Sequence, residues 1–231
     1  MRFSSELIPG ILLQRYKRFL ADVRLSDGRV VTAHCTNTGS MLGCRAAGSR
    51  VYLSQRQPEK GGLGYTWELI QVGTTWVGIN TFYPNRLVVE AIQSGRIKEL
   101  QGYEKIVREV RTRSGVRLDL RLERPGESCF VEVKNVTLAV ARGAAFPDAI
   151  TNRGTKHLKE LVRLRKKGHR AAVLFVVQRE DCTFFRPADE IDKEYGRWLR
   201  KAVQACVEVL PYRATVSPRE IEITDRLPVV L

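Results

Sequence analysis

Three residues near the middle of the chain have the types and spacing for metal chemistry. In VRLDLRLE, Val116, Leu118, Leu120 and Leu122 fall on one face of a strand, and Arg117, Asp119 and Arg121 fall on the other. Beyond Pro125-Gly126, a turn dipeptide, Phe130, Glu132 and Lys134 share one face of a second strand. If Arg124 to Glu127 form a four-residue loop, Glu123 pairs with Ser128 and Asp119 faces Glu132, with Cβ atoms roughly 4.5–5.5 Å apart. Lys134 then faces Arg117. Facing carboxylates repel unless a cation, a proton or a charged neighbour offsets them. Two oxygen ligands aimed at one point suit Mg²⁺ or Mn²⁺, which also hold several waters. Lys134 could then orient or deprotonate an attacking water and stabilise charge developing on phosphorus. That set reads as a metal-dependent phosphodiesterase site. The plainer reading is a surface hairpin, with Asp119 paired to Arg117 and Glu132 to Lys134.

The elements around this hairpin fall into two groups. Up to about residue 82 the chain shows short strands and glycine-rich turns. Phe19 to Leu25 and Arg29 to Ala33 flank Ser26-Asp27-Gly28, a hairpin signal. The loop HCTNTGSM (His34 to Met41) follows, then strands at Val51 to Ser54, Tyr65 to Val72 and Thr75 to Ile79. The count fits a five-stranded OB-type barrel over residues 1–82. From Pro84-Asn85 the pattern turns helical, with Leu87, Val88, Ala91 and Ile92 at helical spacing. Strands follow at Glu104 to Arg111, Val116 to Glu123 and Ser128 to Leu138. After a long loop come a helix from Thr155 to Lys167, the apolar strand AAVLFVVQ (Ala171 to Gln178), a helix from Glu194 to Cys206 and a last strand at Val207 to Leu210. This order predicts a mixed α/β domain over residues 83–231, a sheet flanked by helices.

Composition narrows the partners. The chain has 231 residues and a formal net charge of +14. The excess is distributed, +5 over residues 1–80 and +9 over residues 81–231, so a basic tail does not account for it. A folded positive surface attracts polyanions, nucleic acid above all. Five cysteines without a CxxC pair argue against a disulfide framework and for a reducing compartment. His34, Cys35 and Cys44 could supply three zinc ligands, but no fourth lies nearby, and buried thiols are the simpler reading. No apolar run is long enough to span a membrane. The expectation is a cytoplasmic protein with no membrane partner.

Two basic stretches are candidate nucleic-acid contacts. Lys156, Lys159, Arg163 and Lys166 share one side of the predicted helix, opposite Leu158, Leu161 and Val162, and could follow a phosphate backbone. Arg15, Tyr16, Lys17, Arg18 and Phe19 mix aromatic and basic side chains, as in barrels that bind single strands. Either stretch could equally be a solvated face or part of a core. His34 and His157 read as hydrogen-bonded structural residues, although His157, near a helix start, could contact phosphate.

RYKRFLADV (Arg15 to Val23), HCTNTGSM, YTWEL (Tyr65 to Leu69), EVKNVTL (Glu132 to Leu138), FPDAITNRGTKHL (Phe146 to Leu158) and FRPADEID (Phe185 to Asp192) resemble the sugar fermentation stimulation protein A family, in the same order and over nearly the whole chain. The resemblance implies an OB-like N-terminal domain, a C-terminal domain of the PD-(D/E)XK nuclease fold, a cytoplasmic location and DNA binding with little sequence preference. It also implies a link to sugar, particularly maltose, utilisation. The fold's motif maps onto Asp119, Glu132 and Lys134. Enzymes of that fold often add a Glu from the first helix, which here would be Glu90, with Glu109 a weaker choice. Arg117 and Arg153 join the basic stretches as candidate DNA contacts. Three positions depart from the family pattern: Val116 stands for a Ser, Thr36 for a Pro and Lys193 for a Pro. The two functions open at this point are a DNA-binding regulatory factor and a Mg²⁺-dependent nuclease.

Overall fold

A computed structural model describes residues 1–56 and 62–231. The N-terminal part forms a six-stranded sheet from β1 (Ile8–Tyr16), β2 (Leu20–Leu25), β3 (Val30–His34), β4 (Arg50–Gln55), β5 (Tyr65–Val72) and β6 (Thr75–Gly78). Its order is β3-β2-β1-β4-β5-β6, and a β3–β5 pairing closes five of the strands into a barrel. The barrel core holds Leu12, Val23, Leu53, Trp67 and Val77, with Cys35, Met41 and Cys44 from the loop after β3. Cys35 and Cys44 are buried thiols.

The strand β1 escapes the sequence reading because Pro9-Gly10 looks like a breaker. Glycine is required there for packing: a Cβ at residue 10 would lie 2.4 Å from Val23 Cγ1. The aromatic-basic stretch is the tip of the β1–β2 hairpin, with Tyr16 paired to Leu20.

The remainder is a mixed α/β domain. It begins with α1 (Pro84–Gln93) and continues through β7 (Lys105–Arg111), β8 (Arg117–Arg124), β9 (Glu127–Val136), β10 (Leu138–Val140), β11 (Gly143–Phe146), α2 (Asn152–Lys166), β12 (Arg170–Val177), β13 (Phe184–Pro187), α3 (Lys193–Gln204), β14 (Glu208–Val216) and β15 (Ile221–Arg226). The main sheet runs β15-β14-β12-β9-β8-β7, with β9, β12 and β14 parallel and the outer pairs antiparallel. Helix α1 covers one face, against Val131, Val133, Leu174 and Val176. Helices α2 and α3 cover the other, against Phe130, Val173 and Phe175. Covered on both sides, β12 is buried almost throughout, as its apolar run requires. A small sheet, β10-β11-β13, lies beside it. Residues 1–3 run along the β14–β15 turn before the barrel begins: Met1 donates to Ile221 O and Phe3 to Arg219 O.

Candidate metal and nucleic-acid site

The β8–β9 hairpin positions the two acids. Its rungs run from Arg124↔Glu127 to Leu120↔Val131, the register expected from the sequence. The connection is the two-residue turn Pro125-Gly126, not a four-residue loop. Asp119 and Glu132 occupy the next position, where side-chain bonding takes over from the ladder. Asp119 Oδ2 accepts from Val133 N at 2.8 Å, and Oδ1 accepts from Asn85 Nδ2 at 3.0 Å. Along β8, Leu118, Leu120 and Leu122 are fully buried while Asp119 and Arg121 are half-buried. Leu118 packs into the core under α2 and α3, whereas Leu120 and Leu122 pack under α1, so the strand's alternation breaks at Asp119, whose carboxyl reaches Asn85 of α1.

Glu132 is 3% exposed. Its Oε1 receives Lys134 Nζ at 2.5 Å and a very short contact from His157 Nδ1 of α2. His157 Nε2 accepts from Arg153 at 3.5 Å, which leaves Nδ1 to donate to the carboxylate. Glu132 Oε2 is buried and has no partner. The Tyr195 hydroxyl on α3 is likewise buried and unpartnered. It is pushed up by burial, and by the charges of Glu132 and Asp192.

The two carboxyls respond oppositely to this setting. Burial pushes Asp119 up, and Glu132 adds to the shift against hydrogen bonds from Val133 and Asn85. Burial opposes Glu132 too, but the Lys134 charge and His157 more than offset it and hold Glu132 below its usual range. The result is a carboxylate pair in which one member is fully committed to charge and the other resists it.

Several expectations need correcting. Lys134 does not face Arg117: Lys134 turns to Glu132 and His157, and Arg117 pairs with Glu109 at 3.5 Å. The Glu132–Lys134 half of the surface-pairing alternative is therefore present, and the Asp119–Arg117 half is not. Glu90 is held by the Met1 ammonium at 3.0 Å and by Arg86 at 2.8 Å. Asn85 is the α1 residue whose side chain bonds to Asp119. His157 is buried and hydrogen-bonded to Glu132, in keeping with the structural reading and not with a phosphate contact. Asn85 and Tyr195 carried no signal in the sequence beyond a helix start and an aromatic at a buried position. No group of three or more His, Cys, Asp or Glu side chains able to hold a metal occurs among the described residues. Any cation here would rest on the two carboxylates.

The basic stretches are partly spent on structure. One nitrogen of Arg15 donates to the carbonyls of Arg18, Asn37 and Gly39 at 2.7–2.9 Å, and Arg18 donates to Thr38 O. Tyr16 bonds to Asp22 at 3.1 Å. Lys17 and Phe19 remain exposed at the hairpin tip. On α2, Arg163 forms a bidentate pair with Glu160, and Lys159 lies over the Trp198 ring at 4.8 Å. Lys156 and Lys166 are exposed and unpaired among the described residues, and Arg153 is exposed while donating to His157.

The comparisons with known proteins agree with this architecture. Residues 82–220 match a family model described as the sugar fermentation stimulation protein RE domain, and residues 13–79 match one described as the SfsA N-terminal OB domain. The chain belongs to the SfsA family. It is 56% identical to a sugar fermentation stimulation protein homolog of Geobacter sulfurreducens, over 97% of this chain and 96% of that one. It is 53% identical to the Geobacter metallireducens homolog, over the full length of both. A solved structure described as Pyrococcus furiosus SfsA in complex with Ca²⁺ superposes with a TM-score of 0.90 at 28% identity, covering 100% of this chain and 98% of that one. No helix among the described residues is long and apolar enough to cross a membrane.

Proposed function

We propose that this SfsA-family chain binds nucleic acid with little sequence preference and holds a divalent cation, Mg²⁺ or Mn²⁺, at Asp119 and Glu132 for phosphodiester hydrolysis. The observation that carries this reading is Glu132 Oε2: a buried carboxylate oxygen without a donor, on the strand beside a second carboxylate. Orphaned buried acceptors cost stability and call for a partner. Lys134 and His157 both bond to Oε1, and the Tyr195 hydroxyl, although near enough to feel the Glu132 charge, makes no bond to Oε2, so that oxygen is left for a cation. Two carboxylates with remaining positions for water and phosphate oxygens suit Mg²⁺. The Ca²⁺ complex of the Pyrococcus furiosus relative supports a cation in this family.

A bound cation would supply charge for the phosphate oxygens and acidity for an attacking water. The chain's own residues supply the rest. Asn85 and Val133 N–H fix the Asp119 carboxylate. His157 fixes Glu132 from the helix side. Lys134, half-buried on the same strand, offers an ammonium to charge developing on phosphorus. Lys156 and the exposed Lys17 would hold backbone phosphates without reading bases.

A purely regulatory DNA-binding protein of sugar, including maltose, utilisation would need the basic surface alone. Buried carboxylates beside a phosphate path would weaken its binding, and this favours the hydrolytic reading. Thermal melts with Mn²⁺ and EDTA, and cleavage assays on duplex and single-stranded DNA, test the proposal. The wild type should gain about 2.7 kcal/mol at a hundredfold excess of Mn²⁺ over Kd, and Asp119→Asn should lose that gain. Metal binding without cleavage under any divalent ion would leave binding alone. No metal response and no DNA binding would remove both parts.

A further inference from the structure

A second site lies on the same sheet face as Glu132, the face covered by α2. A pocket of about 380 Å³ opens where β7 ends, lined by Arg111, Arg113, Arg121, Arg163 and Lys167, with Ser128, Thr112 and His169 among the other walls. No acidic residue lines it. Five cations around one cavity repel each other, and the fold relieves only part of this. Arg163 is paired with Glu160, and Arg121 with Glu123. Arg111, Arg113 and Lys167 are exposed and have no ion pair among the described residues. Arg163 lies in the last turn of α2 and Lys167 caps its C-terminus, where cations complement the helix dipole. Arg111, Arg113 and Arg121 come from strands and a turn and have no such reason to be there. Arg121 Nε is buried without an acceptor.

The placement relates the pocket to the acids. Arg121 pairs with Phe130, two residues along each strand from Asp119 and Glu132. That is about 7 Å, close to the separation of neighbouring phosphates along one strand. We propose that this pocket is a phosphate subsite: it takes the backbone phosphate of a nucleic-acid strand next to the bond held at Asp119 and Glu132, with the unpaired Arg111, Arg113 and Lys167 as its donors and Arg121 in its wall. The inference rests on the nucleic-acid reading above and adds to it the path the strand follows, along the β8–β9 face toward the carboxyl end of α2.

The test uses the full chain and three proteins: the wild type, the Arg111→Ala/Arg113→Ala/Lys167→Ala triple variant, and an Arg24→Ala/Arg45→Ala/Lys98→Ala triple variant that loses the same charge from exposed positions with no ion pair among the described residues. Binding of a fluorescent oligonucleotide is measured across a salt series, and inorganic phosphate is titrated in parallel by thermal shift. The pocket variant should lose tenfold or more in affinity, and its salt slope should flatten by about one to two contacts at 0.9 each on duplex DNA. The control variant should change less than threefold. Equal losses in the two variants would overturn the pocket while leaving nucleic-acid binding intact. No oligonucleotide binding by the wild type would overturn the underlying reading and this inference with it. Phosphate stabilisation without oligonucleotide binding, lost in the pocket variant, would assign the pocket to a small phosphorylated molecule and overturn the strand path. Thermal melts of both variants without ligand confirm folding, and Arg111→Gln/Arg113→Gln/Lys167→Gln replaces the alanine set if that set melts early.

Discussion

Asp119 and Glu132 make opposite demands on pH because one gained donors for its charge and the other mainly lost water. For Asp119 the folded value lies above the ordinary 3.8. Its contribution to stability is therefore present below 3.8 and lost as pH rises through the folded value. For Glu132 the folded value lies below the ordinary 4.5, so its contribution is present above 4.5 and lost as pH falls through the folded value. Asparagine mimics protonated Asp119 and can still accept from Val133 N, with the Asn85 amide turned to match. In EDTA at neutral pH, Asp119→Asn should leave stability unchanged or raise it by up to about 1 kcal/mol, with the gain vanishing below pH 3.8. Glu132→Gln should cost about 1–3 kcal/mol at neutral pH, because Lys134 keeps its charge and loses its partner. Melts of the three proteins across pH in EDTA check both. A loss above 1 kcal/mol in Asp119→Asn would show that the charged carboxylate is a structural acceptor and not a ligand waiting for a cation.

At the scale of elements, the strands that hold the acids were legible because period-two alternation and a Pro-Gly turn are local signals. The ladder carries that register only to Leu120↔Val131, one rung short of the acids, where Asp119 takes the Val133 N–H on its side chain. The Glu132–Lys134 pair was legible as two like-facing residues on one strand, but His157, which joins them from α2, was not, because no spacing rule reports a helix docking onto a strand. The small sheet was missed for a local reason. Its β10–β11 hairpin turns through Ala141 and Arg142, both at positive φ (46° and 66°), where Asn-Gly would have announced the turn. The family departures make sense at this scale. Val116 is buried in the core, where a serine would need a hydrogen-bond partner. Lys193 is the first residue of α3 after the Asp192 cap, a position that suits the family's proline. The stripe on α2 was legible as charge but not as commitment. Glu160 is 4% exposed and is held down to about 2, against burial, by Arg163 and the Thr112 and Ser114 hydroxyls, tying the helix to the β7–β8 turn. Its stabilisation should be complete above pH 4.5 and fade as pH falls toward 2. Glu160→Gln should therefore cost about 1–3 kcal/mol at neutral pH and almost nothing near pH 2. An equal cost at both pH values would assign the loss to packing.

At the scale of the whole molecule, the barrel and the α/β domain are joined by the loop after β3, the HCTNTGSM motif. Arg15 gathers its carbonyls from the barrel side. Asp148, between β11 and α2, accepts from Ser40 Oγ at 3.1 Å and Met41 N at 2.9 Å, and its own carbonyl accepts from Ser40 at 2.5 Å. Gly39 leaves room for this approach: a Cβ there would lie 3.2 Å from Asp148 Oδ2. Thr36, at one family departure, bonds to Asn80 and Thr81 at the exit from the barrel, and Cys44 Sγ lies 3.5 Å from Thr137 O. The change from strand to helix pattern near residue 82 separated two domains, but it carried no sign that a motif inside the first is held by an acid of the second. Because these bonds cross between two cores, the domains should unfold together. Asp148→Ala removes the acceptor of two of them and should cost about 1–2 kcal/mol, or roughly 2–8 °C for a chain of this size. The tryptophans report on the two parts separately: Trp67 and Trp76 belong to the barrel strands β5 and β6, and Trp198 to α3. In a Trp198→Phe background, fluorescence follows the barrel, while the helical far-UV signal follows α1, α2 and α3. The two melts should coincide in the parent. With Asp148→Ala added, the barrel transition should come first, by several degrees. Coincident curves with an unchanged midpoint would show that Asp148 does not couple the domains.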